Sequence, residues 1–443
     1  MSVLLDILYL FGVLAFSPII AYRAIRHKRY RTGWTHRLGI IERKNTDKKC
    51  IWLHAVSVGE INASKTIITE LHNRFPDLEI IVTTTTDTGY AQAEALFTDK
   101  FQVFYFPFDF SWITRRAFQK LRPAICLLME LEVWPNFLRT AERLDVPVVV
   151  INGRISDKSF THYSYVKLFV KSIFRRLTLV LAQTDEYAQR FISLGCPPEK
   201  VIVTGSLKYD TAQITDKVDG ADSLAAQLFG KLKTQNSKLI TTLWVAGATG
   251  DGEEQIILDV YRRLIEQEQF RDLRLAIVPR KPERFDEVAA LIEQKGFDLT
   301  RYSSIKNNFV ESKIENRKSK IAVFLGDTMG DLRKFYSLAS VIFVGRSLVP
   351  MGGSDMMEAA ALGKCTIFGP HAFNFKQAVE DLLRSNGAIL VKNGQELLDA
   401  MKKCLLNPDF ASKIARNGRE VIRKNQGATA RTLAQIAGLL KAQ

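Results

Sequence analysis

Carboxylates and cations lie at the ends of several predicted strands, where they could carry out acid–base chemistry. Residues 51–61 read IWLHAVSVGEI, which predicts a buried strand that breaks at Ser57 and Gly59 and opens a helix. Glu60 would lie in the first turn of that helix, where free amides and the helix dipole favour a carboxylate. Glu60 is thus a candidate general base, although a glutamate in this position can also simply cap its helix.

Two more charged groups follow strands in the first half of the chain. Residues 129–135 read MELEVWP, and strand alternation predicts Glu130 and Glu132 on one side. Arg154 is a candidate partner, so an ion pair and a catalytic role both stay open. In residues 205–210, GSLKYD, Lys208 follows a Gly-Ser turn and could neutralise a phosphate or a carboxylate, or could be an ordinary surface lysine.

Threonines and glycines also follow strands. Residues 83–89, TTTTDTG, offer hydroxyls and amides to an oxyanion, or form a turn with an N-cap at Asp87 or Thr88. In the second half, residues 278–285, VPRKPERF, place three cations in a loop that could clamp a phosphate. Three glycine-rich turns follow, at residues 326–332, 345–347 and 352–358, and the last carries Glu358 for ribose hydroxyls. Each turn alone is ordinary, but together they favour a nucleotide site.

The elements that position these groups alternate between strands and helices. This alternation predicts an α/β fold with two Rossmann-like domains facing a cleft, in which the groups lie at the carboxyl edges of parallel sheets. We expect an N-terminal domain at 50–211, a linker at 212–236, a second domain at 237–425 and a C-terminal helix at 426–443. Strands are predicted at residues 50–55, 79–84, 102–105, 124–129, 146–151, 178–182, 239–246, 273–278, 320–325, 341–344, 365–368 and 388–391.

The N-terminus predicts a membrane anchor. Residues 1–22 are almost wholly apolar with one acid, Asp6, and a basic segment follows at 23–49. This order of charges places the remaining chain on the cytoplasmic side, although a helix lying in the membrane interface is the alternative to a spanning one. The cations that come immediately after the apolar stretch are Arg23, Arg26, Lys28, Arg29, Arg31 and Arg37.

Composition narrows the function classes. A formal net charge of +15 indicates an anionic partner, such as a phosphorylated ligand, nucleic acid or an acidic membrane. The five cysteines form no CxxC pair and no Cys/His cluster, so neither a zinc site nor a disulfide framework is predicted. No GxGxxG follows a predicted strand, which disfavours a dinucleotide oxidoreductase, and no nucleic-acid-binding motif is recognised.

Together these motifs resemble one family, the 3-deoxy-D-manno-octulosonic acid (Kdo) transferases of lipopolysaccharide assembly. The resemblance covers residues 1 to about 380, and the joint order of the motifs is highly specific. The matching stretches are WLHAVSVGE, TTTTDTGY, FPFD, MELEVWPN, INGRIS, GSLKYD, PRKPERF, LGDTMGDL, FVGRSLV, GGSDMME and GPHAFNF.

The resemblance implies a two-lobed GT-B glycosyltransferase of the inner membrane that needs no metal and no cofactor. It implies CMP-Kdo as donor and a phosphorylated lipid A precursor as acceptor, with membrane lipids and not nucleic acid as the other partner. By the same resemblance, Glu60 is the proton acceptor, and Glu130 and Lys208 stabilise the transition state. The CMP-binding positions that it implies are Pro279, Arg280, Met329, Gly330, Asp331, Asp355, Met356, Met357 and Glu358.

The chain departs from the family pattern in its second half. Lys281 replaces the histidine of PRHPERF, Ser354 and Asp355 replace the HN of GGHNxxE, and Gly250 replaces the histidine of AGSTHxGE. All of these departures lie in the half of the chain to which the resemblance assigns donor binding. The alternatives are another GT-B glycosyltransferase or a sugar-nucleotide epimerase with a different nucleotide sugar, and, outside enzymes, a basic membrane-associated binding scaffold. Competition by CMP against UDP distinguishes the enzyme classes.

Overall fold

The computed structural model describes residues 2–27, 32–229, 242–306 and 322–441. Some predictions lie outside these ranges: the cations Lys28, Arg29 and Arg31, residues 230–236 of the linker, and the first residues of the strands expected from 239 and 320. The chain forms two compact units, Met1–Thr211 with Asn425–Gln443, and Ala212–Lys424. Each unit is described by itself.

The first unit is built on a seven-stranded sheet in which every described pairing is parallel. The strand order is β3-β2-β1-β4-β5-β6-β7, so the order reverses direction between β1 and β4. In an open α/β sheet, ligands bind outside the carboxyl ends of the strands at such a reversal. The strands are β1 (Cys50–His54), β2 (Glu79–Thr84), β3 (Gln102–Tyr105), β4 (Pro123–Met129), β5 (Val148–Gly153), β6 (Leu179–Ala182) and β7 (Val201–Val203).

Helices cover both faces of this sheet, which explains why its strands are continuous apolar runs. All five residues of β1 are buried, and alternate side chains enter different cores: Trp52 packs on one face and Ile51 and Leu53 on the other. The helices are α1 (Ser2–His27), α2 (Trp34–Arg37), α3 (Val58–Arg74), α4 (Asp87–Phe97), α5 (Ser111–Leu121), α6 (Pro135–Arg143), α7 (Asp157–Tyr165), α8 (Lys167–Phe174), α9 (Asp185–Ser193) and α10 (Lys208–Thr211).

Helix α1 corrects one of the two alternatives for the membrane anchor expected at residues 1–22, the spanning helix. The helix forms, but none of the helices within the described ranges is long and apolar enough to cross a membrane. Asp6, which would be costly in hydrocarbon, is bound by the protein instead. Its Oδ1 accepts hydrogen bonds from the main-chain N–H of Ser111 at 2.9 Å and from Nδ2 of Asn136 at 3.0 Å. The hydroxyl of Tyr9 donates to Asp109.

The second unit repeats the architecture with another parallel seven-stranded sheet, ordered β10-β11-β9-β8-β12-β13-β14. Here the order reverses between β8 and β12. The strands are β8 (Leu243–Thr249), β9 (Arg274–Pro279), β10 (Asp298–Arg301), β11 (Ala322–Leu325), β12 (Val341–Val344), β13 (Cys365–Phe368) and β14 (Ile389–Leu390). The described helices are α11 (Ala221–Phe229), α12 (Glu253–Ile265), α13 (Phe285–Gln294), α14 (Tyr302–Lys306), α15 (Leu332–Leu338), α16 (Met356–Ala361), α17 (Lys376–Arg384), α18 (Gly394–Leu406) and α19 (Pro408–Asn425).

The second unit starts earlier than expected, at Ala212, whereas its end at Lys424 agrees with the expected boundary at 425. Residues 212–229, expected to belong to a linker, lie in this unit and include α11, whose Leu224 is fully buried. The last helix, α20 (Ala428–Lys441), belongs to the first unit. Its apolar side chains Leu433 and Ile436 share a core with Leu207, so the C-terminus contributes to the domain that carries Lys208.

Candidate active site

Glu60 lies at the carboxyl edge of the first sheet, beside the reversal between β1 and β4. Ser57 is the N-cap of α3, and its Oγ accepts from the N–H of Glu60 at 3.3 Å. The Glu60 carboxylate accepts in return from Ser57 Oγ at 2.8 Å and from the N–H of Val56 at 2.9 Å. This reciprocal arrangement is a capping box, so the side chain does cap its helix. It also fixes the carboxylate in one orientation.

The environment of Glu60 makes its carboxylate more basic. Burial raises the pKa of Glu60 above its usual range, the N–H of Val56 partly offsets this, and the nearby charge of Glu130 raises it further. A carboxylate that is harder to ionise takes up a proton more readily, which suits a general base. Capping and basicity are therefore properties of the same side chain here.

The threonine run after β2 supports the Glu60 loop from the side. The hydroxyls of Thr84 and Thr86 both donate to the carbonyl of Val56, at 3.0 and 2.9 Å. Thr86 is also the N-cap of α4, which corrects the expected cap at Asp87 or Thr88. These hydroxyls are engaged within the protein, so their evident role is to hold the loop rather than to meet an oxyanion.

Glu130 and Glu132 leave the strand earlier than alternation predicts. Strand β4 ends at Met129, and Glu130 has φ 55°, a left-handed conformation that is uncommon for residues other than glycine. The expectation that strand alternation places both on one side is therefore wrong. Both carboxylates still interact electrostatically with Glu60. Burial raises the pKa of Glu132 to about 7, and the charges of Glu60 and Glu130 contribute to the rise.

Lys208 is the cation that approaches Glu130. Its Nζ lies 3.9 Å from Oε1 of Glu130, whereas the described hydrogen bond from Arg154 to this residue is a long main-chain contact of 3.4 Å. The expected pairing with Arg154 is thus replaced by a pairing with Lys208. The structure brings together the three groups Glu60, Glu130 and Lys208 at one edge of the first unit.

Two residues that sequence reasoning did not identify hold the Lys208 turn. Asn152 is buried with φ 54°, and its Oδ1 accepts from the N–H of Leu207 at 3.0 Å. Asp210 accepts from the main-chain N–H groups of Gly427 and Thr429, at the start of α20. The INGR and GSLKYD motifs contained both residues, but only the fold shows which backbone groups they contact.

In the second unit, the predicted phosphate clamp is smaller than expected. Arg284 forms two hydrogen bonds to the buried Glu254, at 2.7 and 3.2 Å, and a third contact to Glu287 at 2.9 Å. These hydrogen bonds occupy the guanidinium of Arg284, so two of the three cations of the predicted phosphate clamp are left. Arg280 and Lys281 remain exposed at the end of β9.

The turn before α15 contains three of the implied CMP-binding positions. Met329 is exposed, and Gly330 has φ 86°, a left-handed turn conformation that glycine adopts without strain. Asp331 is buried and binds Lys306 and Lys334, each at 2.7 Å. Burial alone would raise the pKa of Asp331, but the lysines and a hydroxyl hydrogen bond lower it to about 2. Its carboxylate is occupied, so it shapes the turn.

The last implied segment begins α16. Asp355 is the N-cap and accepts from the N–H of Met357 at 2.9 Å. The side chains of Met356 and Met357 are buried in the core, so neither presents its side chain to a ligand. Burial raises the pKa of Glu358 to about 7, Asp355 adds to the rise, and Arg333 and Arg280 oppose it. The charge of Arg280 therefore acts on the Glu358 carboxylate, which links two of the implied CMP-binding residues.

The positions that depart from the family pattern differ in their surroundings. Ser354 is buried, and its Oγ donates to the carbonyl of Ala248 at 3.1 Å. A Cβ added at Gly250 would lie 2.6 Å from Sδ of Met351 and 3.0 Å from Cγ of Arg346, so side chains fill the space that a histidine would need. Lys281, in contrast, is exposed.

Within the ranges that the structure describes, no group of three or more histidine, cysteine, aspartate or glutamate side chains is arranged to hold a metal ion. All five cysteines are buried and free.

Comparison with known proteins identifies the family of this chain. The family model for "3-Deoxy-D-manno-octulosonic-acid transferase (kdotransferase)" matches residues 32–211. The chain is 31% identical over 416 residues to the 3-deoxy-D-manno-octulosonic acid transferase of Haemophilus influenzae, covering 94% of this chain and 93% of that protein. It is also 31% identical to the enzyme of the same name from Bordetella pertussis, with 86% of each chain covered.

A solved structure agrees on the fold alone. A glycosyltransferase from Rickettsia africae is 14% identical to this chain, with a TM-score of 0.55 over 90% of this chain and all of the other. Fold and relatives together define an enzyme, a glycosyltransferase with two Rossmann-like domains of the GT-B kind. Within that class, the chain belongs to the family of 3-deoxy-D-manno-octulosonic acid transferases.

Proposed function

We propose that this enzyme transfers Kdo from CMP-Kdo to a phosphorylated lipid A precursor in lipopolysaccharide assembly, with inversion at the anomeric carbon and without a metal ion. The names of the relatives support Kdo as the transferred sugar. In the reaction, an acceptor hydroxyl oxygen bonds to the anomeric carbon of Kdo, and the bond from that carbon to the phosphate oxygen of CMP breaks. The hydroxyl proton passes to a base, and CMP departs with the bonding electrons.

Glu60 is the proposed base, and its geometry is the observation that carries the proposal. Ser57 and Val56 hold the carboxylate in a fixed orientation at the ligand-binding edge of the sheet, and burial raises its pKa. A fixed carboxylate with a raised pKa can accept the hydroxyl proton without first reorganising.

Glu130 and Lys208 are proposed to stabilise the transition state. Charge shifts towards the leaving phosphate as the glycosidic bond breaks, and an ammonium held in place is favourable there. The contact of 3.9 Å with Glu130 limits the positions that Lys208 can occupy. Because the ion pair is loose and partly exposed, the ammonium can shift towards a phosphate without leaving a fully buried charge unpaired.

Donor binding is assigned to the second unit. We propose that CMP contacts Pro279 and Arg280 after β9, the turn of Met329 to Asp331, and the start of α16 from Asp355 to Glu358. The exposed Arg280 supplies the cation for the phosphate. Glu358 can accept hydrogen bonds from ribose hydroxyls. The buried Met356 and Met357 would contribute through their backbone.

We further propose that α1 lies in the interface of the cytoplasmic face of the inner membrane. Leu4, Leu8 and Phe11 are more than 60% exposed and recur at helical spacing, so they form one apolar stripe. Tyr9 and Asp6, in contrast, contact the domain. An apolar stripe on a chain of net charge +15 suits an anionic lipid surface and a phosphorylated lipid acceptor.

The catalytic proposal is tested by Kdo transfer from radiolabelled CMP-Kdo to a tetra-acylated lipid A precursor with EDTA present. We expect product from wild type and a loss of roughly 10²–10⁴-fold in kcat for Glu60→Gln, which keeps the size and capping of the side chain. Glu70→Gln, an exposed position on the same helix, is the matched control and should behave as wild type. Near-normal turnover of Glu60→Gln would show that the base is another group.

The same assay tests the donor and metal assignments. Inhibition by CMP and not by UDP supports a CMP-sugar donor, whereas inhibition by UDP alone would indicate a different nucleotide sugar. Loss of wild-type activity in EDTA that added Mg²⁺ restores would contradict metal independence.

The membrane proposal is tested by flotation with vesicles that contain anionic phospholipid. Leu8→Gln, at a position 63% exposed on α1, should weaken binding, while Leu406→Gln, 59% exposed in the second unit, should not. Equal flotation of both variants would contradict a role of α1 in the membrane interface.

A further inference from the structure

Glu253, the first residue of α12, binds two separate loops with one carboxylate. The side chain is fully buried and accepts four main-chain hydrogen bonds. Its Oε2 accepts from the N–H groups of Gly250, at 2.9 Å, and of Arg346, and its Oε1 accepts from those of Ser347 at 2.7 Å and Leu348 at 2.8 Å. Three of the four donors belong to a loop far away in the chain, so the side chain does more than cap its own helix.

The two loops lie where a ligand-binding crevice is expected. One follows β8 and the other follows β12, and these neighbouring strands form the reversal in the strand order of the second sheet. Ligands of open α/β sheets bind at that point, outside the carboxyl ends of the strands. Glu253 therefore fixes the backbone on both sides of this crevice.

Hydrogen bonds connect the same loops to the proposed CMP-binding segments. The carbonyl of Thr249 accepts from the N–H of Arg280 at 3.1 Å. Ser354 donates through its N–H to Gly345 and through its Oγ to Ala248, each at 3.1 Å. A shift of either loop would therefore move Arg280 or the residues that precede Asp355.

The backbone at the end of β8 and in the loop after β12 is in a conformation that needs support. Ala248 has φ 53° and Arg346 has φ 59°, left-handed backbone angles that are uncommon for residues other than glycine, asparagine and aspartate. Such residues persist where the surrounding structure holds them, and they cluster at ligand sites. The bond from Arg346 N–H to Glu253 holds one of them directly.

We propose that Glu253 is a positioning residue for the nucleotide of the donor. It would act through the backbone of the two loops, without touching the nucleotide itself. This inference rests on the proposed function, because it assumes that the second unit binds CMP. In Glu253→Gln an amide NH₂ would face two N–H donors, so two of the four hydrogen bonds that hold the loops would be lost and the backbone would relax.

Calorimetric titration of the full chain with CMP tests this role. We expect Glu253→Gln to bind CMP roughly 10- to 100-fold more weakly, which corresponds to the loss of one or two hydrogen bonds to a buried charge. Glu253→Asp keeps the charge and should recover part of the affinity. Glu254→Gln is the matched control: Glu254 is the next residue and also fully buried, but its partner is Arg284. It should lose stability and retain CMP binding.

Hydrogen exchange on the wild-type protein gives a second measurement that does not depend on any variant's folding. Added CMP should slow exchange at Gly250 and at residues 346–348 more than at the N-terminus of α18, which is remote from the nucleotide segments in the chain. Unchanged exchange in both loops, or wild-type affinity in a folded Glu253→Gln, would overturn the inference. If the wild-type protein binds UDP and not CMP, the proposed donor is wrong. The role of Glu253 is then decided by titrating wild type and Glu253→Gln with UDP.

Discussion

The ammonium of Lys208 lies 3.9 Å from Oε1 of Glu130, and the two side chains are 26% and 22% exposed. Lys208 follows β7 and begins α10, while Glu130 has left-handed backbone at the end of β4. The sequence separates these residues widely, and the parallel sheet brings the ends of their strands to one edge. A partly exposed pair of this kind contributes little to stability.

A double-mutant cycle on this pair should separate catalysis from stability. We expect Lys208→Met and Glu130→Gln each to lower kcat roughly 10²–10³-fold, because each removes a group that stabilises developing charge. Thermal unfolding should show a coupling of only about 0.2–1 kcal/mol. A coupling several times larger, with kcat little changed, would mean that the pair is structural.

The pH dependence of kcat/KM should report on Glu60. The base must be ionised to accept a proton, so activity should be lost as the pH falls through the pKa of Glu60. Since burial raises that pKa, the acidic limb should lie above the usual range of a glutamate. Glu60→Asp, whose shorter side chain moves the carboxylate, should lower activity and shift this limb. Glu132 is near and has a pKa of about 7, so Glu132→Gln is the necessary control.

Asp210 should connect the C-terminal helix to catalysis. Its carboxylate accepts from the N–H groups of Gly427 and Thr429, as an N-cap does for a helix. We expect Asp210→Ala to lower the free energy of unfolding by about 1 kcal/mol. Because Asp210 lies on the same short helix as Lys208, kcat should fall as well. Thr211→Ala, whose hydroxyl bonds within this helix, is the control, and an equal loss of kcat there would contradict the argument.

Much of the fold could be predicted because buried parallel strands are apolar on both faces. Runs such as residues 79–84 and 341–344 therefore stand out from their surroundings, and the structure has strands with those bounds. The two strands that were missed, β7 and β10, are at sheet edges. Neither contains a fully buried residue, β10 reads Asp-Leu-Thr-Arg, and the apolar run of β7 is the short stretch Val201–Val203.

The sequence indicated which charged groups would lie together, and not which partners they would contact. Strand ends indicated Glu60, Glu130 and Lys208 as one group, because parallel strands end at a common edge. The sequence could not show that Arg284 is held by Glu254, since an arginine in a loop looks the same whether it is paired or free. It also gave no sign that Asp6 would bind the domain, because that depends on which helix packs beside it.

We expect the Glu358 carboxylate to lower the free energy of unfolding at pH 8 and to contribute to donor binding. Burial raises its pKa to about 7 in the folded protein, above the unfolded value of about 4.3. The folded state therefore favours the protonated carboxyl, and the favourable contribution of that proton is lost as the pH rises through about 7. At pH 8 the buried charge is a net cost, which Glu358→Gln removes.

We therefore expect Glu358→Gln to be more stable than wild type at pH 8, by roughly 1–3 kcal/mol, and this gain to shrink as the pH falls through about 7 towards the unfolded value of about 4.3. CMP binding by Glu358→Gln should weaken, since an amide accepts hydrogen bonds from ribose hydroxyls less well than a carboxylate does. Scanning calorimetry from pH 5 to pH 8, with CMP titration, measures both. Glu287→Gln is the comparison of opposite sign, because Arg284 lowers the pKa of that exposed carboxylate, and its replacement should bring no gain at pH 8. A stability difference for Glu358→Gln that does not change with pH would show that its carboxylate is already ionised at pH 5.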